Sequence, residues 1–446
     1  MIETAPIETG TTESGTTETS TPERTVFPVF RWWREQRMLL GTTVSLLATT
    51  GITTALGLAF WWLAAHLVPV AEVGYGSAAI SAMTLVATFG MAGLNTVLIG
   101  HLAARPRNAD GLLSAALCTS ALISAVLAAG FCLIGVVMVP QLAAYLHSAT
   151  AVVLFIAGAA ITGAALVLDE ALLGTLGGAP QLWRNTGFAV AKLIALAGLV
   201  LVWHDLFGTP MLAAWAAGTL VSLVPVVIML RRRGVILLVR PQWRALRQIG
   251  RASVTNTWLN NALQVPVLMT PILVTGMLSA ADGGAFYVAS TVVMVAVMLP
   301  YHFTTALYAA STADPSGLAA KVRMTLRISM LGGLVGVPLV IICAHPLLRL
   351  FGPQYADRAT VPLQLMILGY FGSVLKNHYI ALCRISGRIT KAAVFATVTL
   401  VIRLAAVIAG GVAGGLTGVA VALLVVMCAE GLYAVPALRA ALRGTR

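Results

Sequence analysis

RRRGVILLVRPQWRALRQIGR, residues 231–251, decides how the chain is read. Seven arginines, Arg231, Arg232, Arg233, Arg240, Arg244, Arg247 and Arg251, crowd into the longest connection between two hydrophobic stretches. Lys and Arg concentrate in cytoplasmic loops and are excluded from translocated ones, so the segment marks a cytoplasmic linker. Working outward, 23 of the 28 basic residues fall in every second inter-helix segment, counting the two ends, or, as Arg327 and Lys391 do, in the first residues of the span that follows one. Only Arg349 and Arg358 fall in the intervening loops, and Lys192, Lys376 and Arg403 lie inside hydrophobic stretches. A hydrocarbon core of about 30 Å needs about 20 helical residues. The alternation then predicts an all-α polytopic membrane protein with twelve transmembrane helices and both termini cytoplasmic. The spans are 41–66, 76–103, 112–139, 150–174, 185–203, 210–230, 252–278, 284–309, 325–345, 359–383, 391–412 and 415–438.

Composition agrees. The chain is 59% hydrophobic and 10% charged, with mean hydropathy +0.92, whereas a soluble domain carries about 25% charged residues. Its net charge of +13 resides in short loops beside apolar spans, which suits anionic lipid and gives no reason to expect nucleic acid. The five cysteines, all in apolar stretches, read as small buried hydrophobes. Four Lys against 24 Arg, with abundant Ala, Val and Gly, point to a bacterial plasma-membrane protein.

The linker divides the chain into a bundle over 25–230 and a bundle over 252–446. Each half holds six spans, an even number, so both enter the membrane in the same sense and form a parallel pseudo-repeat. Ala171-Leu172, Gly177-Gly178 and Phe188 in the first half answer to Ala381-Leu382, Gly387 and Phe395 in the second. Residues 1–24 stand apart, with Thr, Ser, Gly and Pro dominant and Glu every fifth residue. They have no apolar face to bury and are expected to be a disordered cytoplasmic tail.

Polar side chains in hydrocarbon face a bundle interior or a wet cavity. Span one carries Thr42, Ser45, Thr49 and Thr53 on one face. Span seven carries Asn256, Asn260, Asn261 and Gln264 on another. Either stripe serves as interhelical hydrogen-bonding glue or as cavity lining; the density in span seven points to a cavity. Pro266 and Pro271 in span seven and Pro300 in span eight are kink sites, static or hinging.

A central Lys or Arg costs about 2.5–3.5 kcal/mol to insert, so Lys192, Lys376 and Arg403 need compensation. Acids are few. Asp169 and Glu170 in span four are placed to pair with Lys192, and Glu430 in span twelve with Arg403. Lys376 has no carboxylate near it in sequence and is the leading candidate for a substrate-facing cation. No Gly-x-x-x-x-Gly-Lys-Ser/Thr motif is present. His147, Asp205, Asp282 and Asp357 stand isolated in short extracytoplasmic loops, so neither enzymatic chemistry nor a bound metal or cofactor is expected.

Further residues carry a family likeness: Tyr75-Gly76, Phe89-Gly90-Met91-Ala92-Gly93-Leu94-Asn95, and Leu173-Gly174-Thr175-Leu176-Gly177-Gly178 leading to Arg184-Asn185. Over about residues 38–440 the chain resembles the polysaccharide flippase branch of the multidrug/oligosaccharidyl-lipid/polysaccharide exporter superfamily. The resemblance implies a V-shaped pair of bundles lined by spans one, two, seven and eight. The cargo would be a polyprenyl-pyrophosphate-linked oligosaccharide moved from the cytoplasmic to the outer leaflet. Lys376, Lys192 and Arg403 would meet the pyrophosphate, and Asn256, Asn260, Asn261, Gln264, Thr49, Thr53 and Asn95 the sugars. Arg31, Arg34, Arg37 and Arg251 would anchor the chain or capture the head group. Partners would be membrane lipids, a polysaccharide polymerase and glycosyltransferases. Drug-exporting relatives look to carboxylates in spans one, seven and ten. This sequence has none there, which favours an anionic cargo. A cation-coupled drug exporter and a peptidoglycan-precursor flippase are the sibling alternatives.

Overall fold

The computed structural model describes residues 51, 53–91, 109–138, 146, 148–176, 178–202, 209–232, 239–243 and 254–443. The tail at 1–24, the arginines Arg31, Arg34, Arg37 and Arg251, and the site candidates Thr49 and Asn95 lie outside the described residues. The structure is all-helical. Its elements are α1 Thr53–Leu67, α2 Val70–Gly90, α3 Ala109–Met138, α4 Ala149–Leu176, α5 Gly178–Val202 and α6 Thr209–Arg232. There follow α7 Val254–Met277, α8 Ala280–Ala313, α9 Leu318–Arg349, α10 Pro353–Leu368, α11 Tyr370–Ile385 and α12 Ile389–Arg443.

Eight of these helices are long and apolar enough to cross a membrane, or nine when α10 and α11, bent by 42° at Gly369, are taken as one broken span. The Asn-rich α7 is among those that do not pass on composition. α12 is a folded pair. Gly415 adopts φ 57°, the left-handed region that favours glycine, and the chain doubles back there. The two arms touch where a Cβ on Gly410 would lie 2.4 Å from the Gly418 carbonyl oxygen.

Span edges differ from the sequence expectation in two places that matter. α2 starts at Val70, capped by Pro69, so the connection from α1 is two residues long. α4 and α5 are separated by residue 177 alone, so Arg184, expected in a loop, lies inside α5. Apolar residues such as Leu201, Ile342 and Val412, 77% to 80% exposed, point outward, as a lipid-facing surface requires. Of the cysteines, Cys132 and Cys383 are buried as expected, whereas Cys118 and Cys428 face outward.

Lipid tails are as apolar as leucine, so helices associate through close packing at small residues and through polar contacts. Neighbour relations recur along the chain. α2 packs on α3 and α4, α3 on α4, α4 on α6, and α5 on α6. Likewise α8 packs on α9 and α10, α9 on α10, and α10 and α11 on α12. The described part of the linker docks on the start of α3: Gln242 N donates to the Gly111 carbonyl at 3.0 Å, and Val239 N to Ser114 Oγ at 3.1 Å.

A second close contact joins α11 to α12. A Cβ on Gly372 would lie 2.0 Å from the Met427 carbonyl oxygen, and one on Gly431 2.7 Å from Gly372 Cα. Gly372→Leu must push the helices apart and is expected to cost at least about 1–3 kcal/mol. Gly336→Ala sits mid-helix with open space around it and is expected to gain about 0.5–1 kcal/mol. Thermal unfolding of the purified protein in detergent checks both signs.

Candidate functional site

α2 is the helix at the centre. It packs on α3 and α4 of its own half and on α7 and α8 of the other. Near its start the small residues Gly74, Gly76, Ser77, Ala78 and Ala79 are all buried. A Cβ on Gly74 would lie 1.7 Å from the Ala280 carbonyl oxygen, and one on Gly284 2.4 Å from that of Val70. Thr275 Oγ1 of α7 lies 3.5 Å from the Gly74 carbonyl oxygen. Backbone thus meets backbone where α2 and α8 begin and α7 ends. α1 joins the same seam: the Trp61 and Tyr287 rings are 4.3 Å apart, and Thr54 Oγ1 reaches Met298 Sδ at 3.4 Å. The four helices assigned to a cavity therefore meet as a closed seam along this stretch.

Away from the seam, α7 presents its amides. Asn256 and Asn260 are half-buried, Asn261 is buried and Gln264 is exposed. They do not act as one stripe. Arg384, near the end of α11, donates from Nη2 to Asn260 Oδ1 at 2.7 Å. Sequence reading left Arg384 among the loop arginines, because its partner is 124 residues away. α7 and α8 run unbroken through Pro266, Pro271 and Pro300, and the Thr270 hydroxyl donates to the Pro266 carbonyl at 2.6 Å.

The charges inside the helices form two groups. In the second half, Lys376 Nζ and Arg403 Nη2 both lie 2.9 Å from the same oxygen, Glu430 Oε2, with all three side chains no more than 13% exposed. Three features produce this. The Gly415 fold sets the arm bearing Arg403 against the arm bearing Glu430. The Gly372–Gly431 contact draws α11 onto that second arm. Lys376, one turn past Gly372, then meets Glu430, next to Gly431. Lys376 is thus not the unpartnered cation the sequence suggested. One carboxylate serves two basic side chains, and Arg403 Nε is buried without a hydrogen bond.

In the first half the expected Asp169–Lys192 pair does not form. Arg184 takes Asp169 side-on, Nε to Oδ1 and Nη2 to Oδ2, and also approaches Ser222 Oγ at 3.4 Å and Asn185 Oδ1 at 2.8 Å. A planar guanidinium matches a carboxylate in this two-bond form and a lysine cannot. Lys192 lies eight residues further along α5, about 12 Å deeper at 1.5 Å per residue, out of reach of that level. It is buried instead among rings. Its Nζ is 4.8 Å from the Phe60 centroid, 4.7 Å from Phe188 and 4.1 Å from Trp215. Gly218 of α6 makes room, since a Cβ there would lie 2.8 Å from Lys192 Cβ. Three aromatic faces attract a cation through their quadrupoles. Among the described residues no carboxylate lies within ion-pair distance of Lys192. Glu170 is half-buried beside Asp169. Among the described residues no three His, Cys, Asp or Glu side chains are grouped to hold a metal ion.

No family model matches the chain, and no curated protein matches it. Solved structures do match, over nearly the whole chain. An inward-facing multidrug resistance MATE family transporter of the MOP superfamily aligns with TM-score 0.63 at 16% identity, covering 88% of this chain and 96% of that one. A variant of the Vibrio cholerae MATE transporter VcmN aligns with TM-score 0.61 at 15% identity, covering 93% and 98%. A MOP superfamily transporter from Pyrococcus furiosus, described as having a binding pocket of reverse polarity that suggests a different function, aligns with TM-score 0.59 at 14% identity, covering 91% and 96%. The class is therefore that of a multi-pass membrane protein. Its particular fold is that of the MATE transporters of the MOP superfamily.

Glu430→Gln leaves Lys376 and Arg403 buried together without a counter-charge and is expected to cost about 3–5 kcal/mol. Adding Lys376→Met and Arg403→Leu removes the stranded cations and is expected to recover most of that. Unfolding midpoints of the single and triple variants decide it.

Proposed function

We propose that this chain is an exporter that carries a polyprenyl-pyrophosphate-linked oligosaccharide from the cytoplasmic to the outer leaflet by alternating access. The observation that carries the reading is the excess of basic over acidic side chains inside the helices. Among the described residues Lys192 packs on aromatic rings with no carboxylate in reach, and the Lys376–Glu430–Arg403 group holds two basic side chains to one acid. Spans one and seven contain no Asp or Glu in the sequence. A pyrophosphate is attracted to such a protein and an organic cation is not. Gln264, exposed on the stretch of α7 away from the seam, offers an amide suited to sugar hydroxyls.

In this reading the halves 25–230 and 252–446 are two six-span bundles with a cytoplasmic linker and cytoplasmic termini, twelve spans in all. The neighbour relations among α2, α3 and α4, repeated among α8, α9 and α10, support it. On this orientation the α2–α8 seam would lie at the outer face, with the amide-bearing start of α7 toward the cytoplasm. Rocking opens the seam, and Pro266, Pro271 and Pro300 are the positions where α7 and α8 bend. The protein acts without enzymatic chemistry, in a bacterial plasma membrane, beside a polymerase and glycosyltransferases.

A second reading, a cation-coupled multidrug exporter, is favoured by the description of the inward-facing MATE structure as a multidrug resistance transporter. A peptidoglycan-precursor flippase fits the same cationic interior.

Deleting the gene is expected to trap lipid-linked oligosaccharide in the inner leaflet and abolish a surface polysaccharide. Unchanged glycolipids with new sensitivity to cationic drugs would establish the second reading instead. Within the protein, Lys192→Met at unchanged expression is expected to reduce restoration of the polysaccharide at least tenfold. Full restoration would remove Lys192 from cargo handling.

A further inference from the structure

The turn between α11 and α12 holds a cavity that the transport reading does not use. Its volume is about 430 Å³, within the roughly 300–1,000 Å³ of small-molecule sites. Tyr379, Cys383 and Ser386 line it from α11 and the turn, Arg388 and Lys391 from the start of α12, and Tyr433 from the far arm of α12. Both charged side chains in its lining are cations, and neither is in an ion pair among the described residues. Gly387, at φ 69°, turns the chain sharply enough to bring Arg388 back over the end of α11, where its N–H bonds the Cys383 carbonyl at 2.8 Å.

The surroundings say what kind of molecule fits. Arg388 and Lys391 stand at the first turn of a membrane-length helix, which is head-group depth whichever way the chain is oriented. From Lys391 an exposed apolar stripe runs down one face of α12 through Val394, Val398 and Ile402, 59%, 52% and 50% exposed. Positions three, seven and eleven residues on lie on one helical face. The ring of Tyr433 stacks on Phe395 with centroids 5.0 Å apart, giving a flat wall beside the same stripe. A soluble phosphate has no use for that stripe. A hydrocarbon chain does, and its phosphate falls between the two cations.

We propose that this cavity binds the head group of an anionic phospholipid, with the phosphate held by Arg388 and Lys391, the glycerol and its substituent beside Ser386 and Tyr379, and an acyl chain along Val394, Val398 and Ile402. Tyr379 and Tyr433 lie one helical turn from Lys376 and Glu430, and the proposal is read by retained lipid, so it stands or falls independently of what the protein exports.

The test uses the full-length protein in nanodiscs of equal phosphatidylglycerol and phosphatidylethanolamine. After release, lipid retained on the protein is counted by native mass spectrometry. Wild type is expected to retain phosphatidylglycerol at least fivefold over phosphatidylethanolamine. Arg388→Gln with Lys391→Gln is expected to abolish the preference while leaving the unfolding midpoint in detergent unchanged. Val394→Ser with Val398→Ser is expected to weaken retention with the cations intact. Equal retention by wild type and the cation variant would overturn the proposal. So would displacement of the lipid by millimolar inorganic phosphate, which would mark a site for free phosphate.

Discussion

Helices in hydrocarbon gain nothing by trading lipid tails for leucine side chains, so they hold together where their backbones touch. That constraint is met here by glycines at specific crossings. Gly74 and Gly284 let α2 of one half lie on α8 of the other. Gly372 and Gly431 bring α11 onto the second arm of α12, and Gly410 and Gly418 close the α12 hairpin. At each, the space a methyl group needs is already filled by backbone of the neighbouring helix. The rest of the structure depends on these contacts, because they set the distances at which the few polar groups meet.

The ionic groups follow from that geometry. Glu430 reaches Lys376 only because Gly372 and Gly431 meet, and Arg403 only because the chain folds back at Gly415. In the first half α5 begins at Gly178, so Arg184 is a helical residue, and it bonds Asp169. With that carboxylate taken, Lys192 is left to Phe60, Phe188 and Trp215. Both halves thus hold more basic than acidic side chains in these groups, the feature from which an anionic cargo is argued.

Much of the fold was legible in the sequence. Hydrophobic runs long enough to span, separated by loops alternately rich and poor in arginine, gave helix positions to within a few residues along most of the described chain. The α10–α11 bend was not legible, since Gly369 resembles any other glycine in an apolar run. Nor was the start of α2, because Val70 to Gly76 with Glu72 reads as a loop until its neighbours are known. The charges were found but their partners mostly were not. Arg403–Glu430 was suggested by adjacent spans, whereas Lys376–Glu430 and Arg384–Asn260 join residues 54 and 124 positions apart. Lys192 was sought beside a carboxylate, and aromatic rings scattered over three helices carry no local signal that they form a cage.

The central claim is that a MATE-type fold with a cationic interior moves an anionic glycolipid. The most direct measurement places the purified protein in liposomes with a fluorescent polyprenyl-pyrophosphate-linked oligosaccharide. It follows the fraction of label on the inner leaflet with a membrane-impermeant quencher, with a cationic dye as the parallel cargo. The expected result is rapid exchange of the glycolipid between leaflets and no movement of the dye. Transport of the dye with the glycolipid static would contradict it.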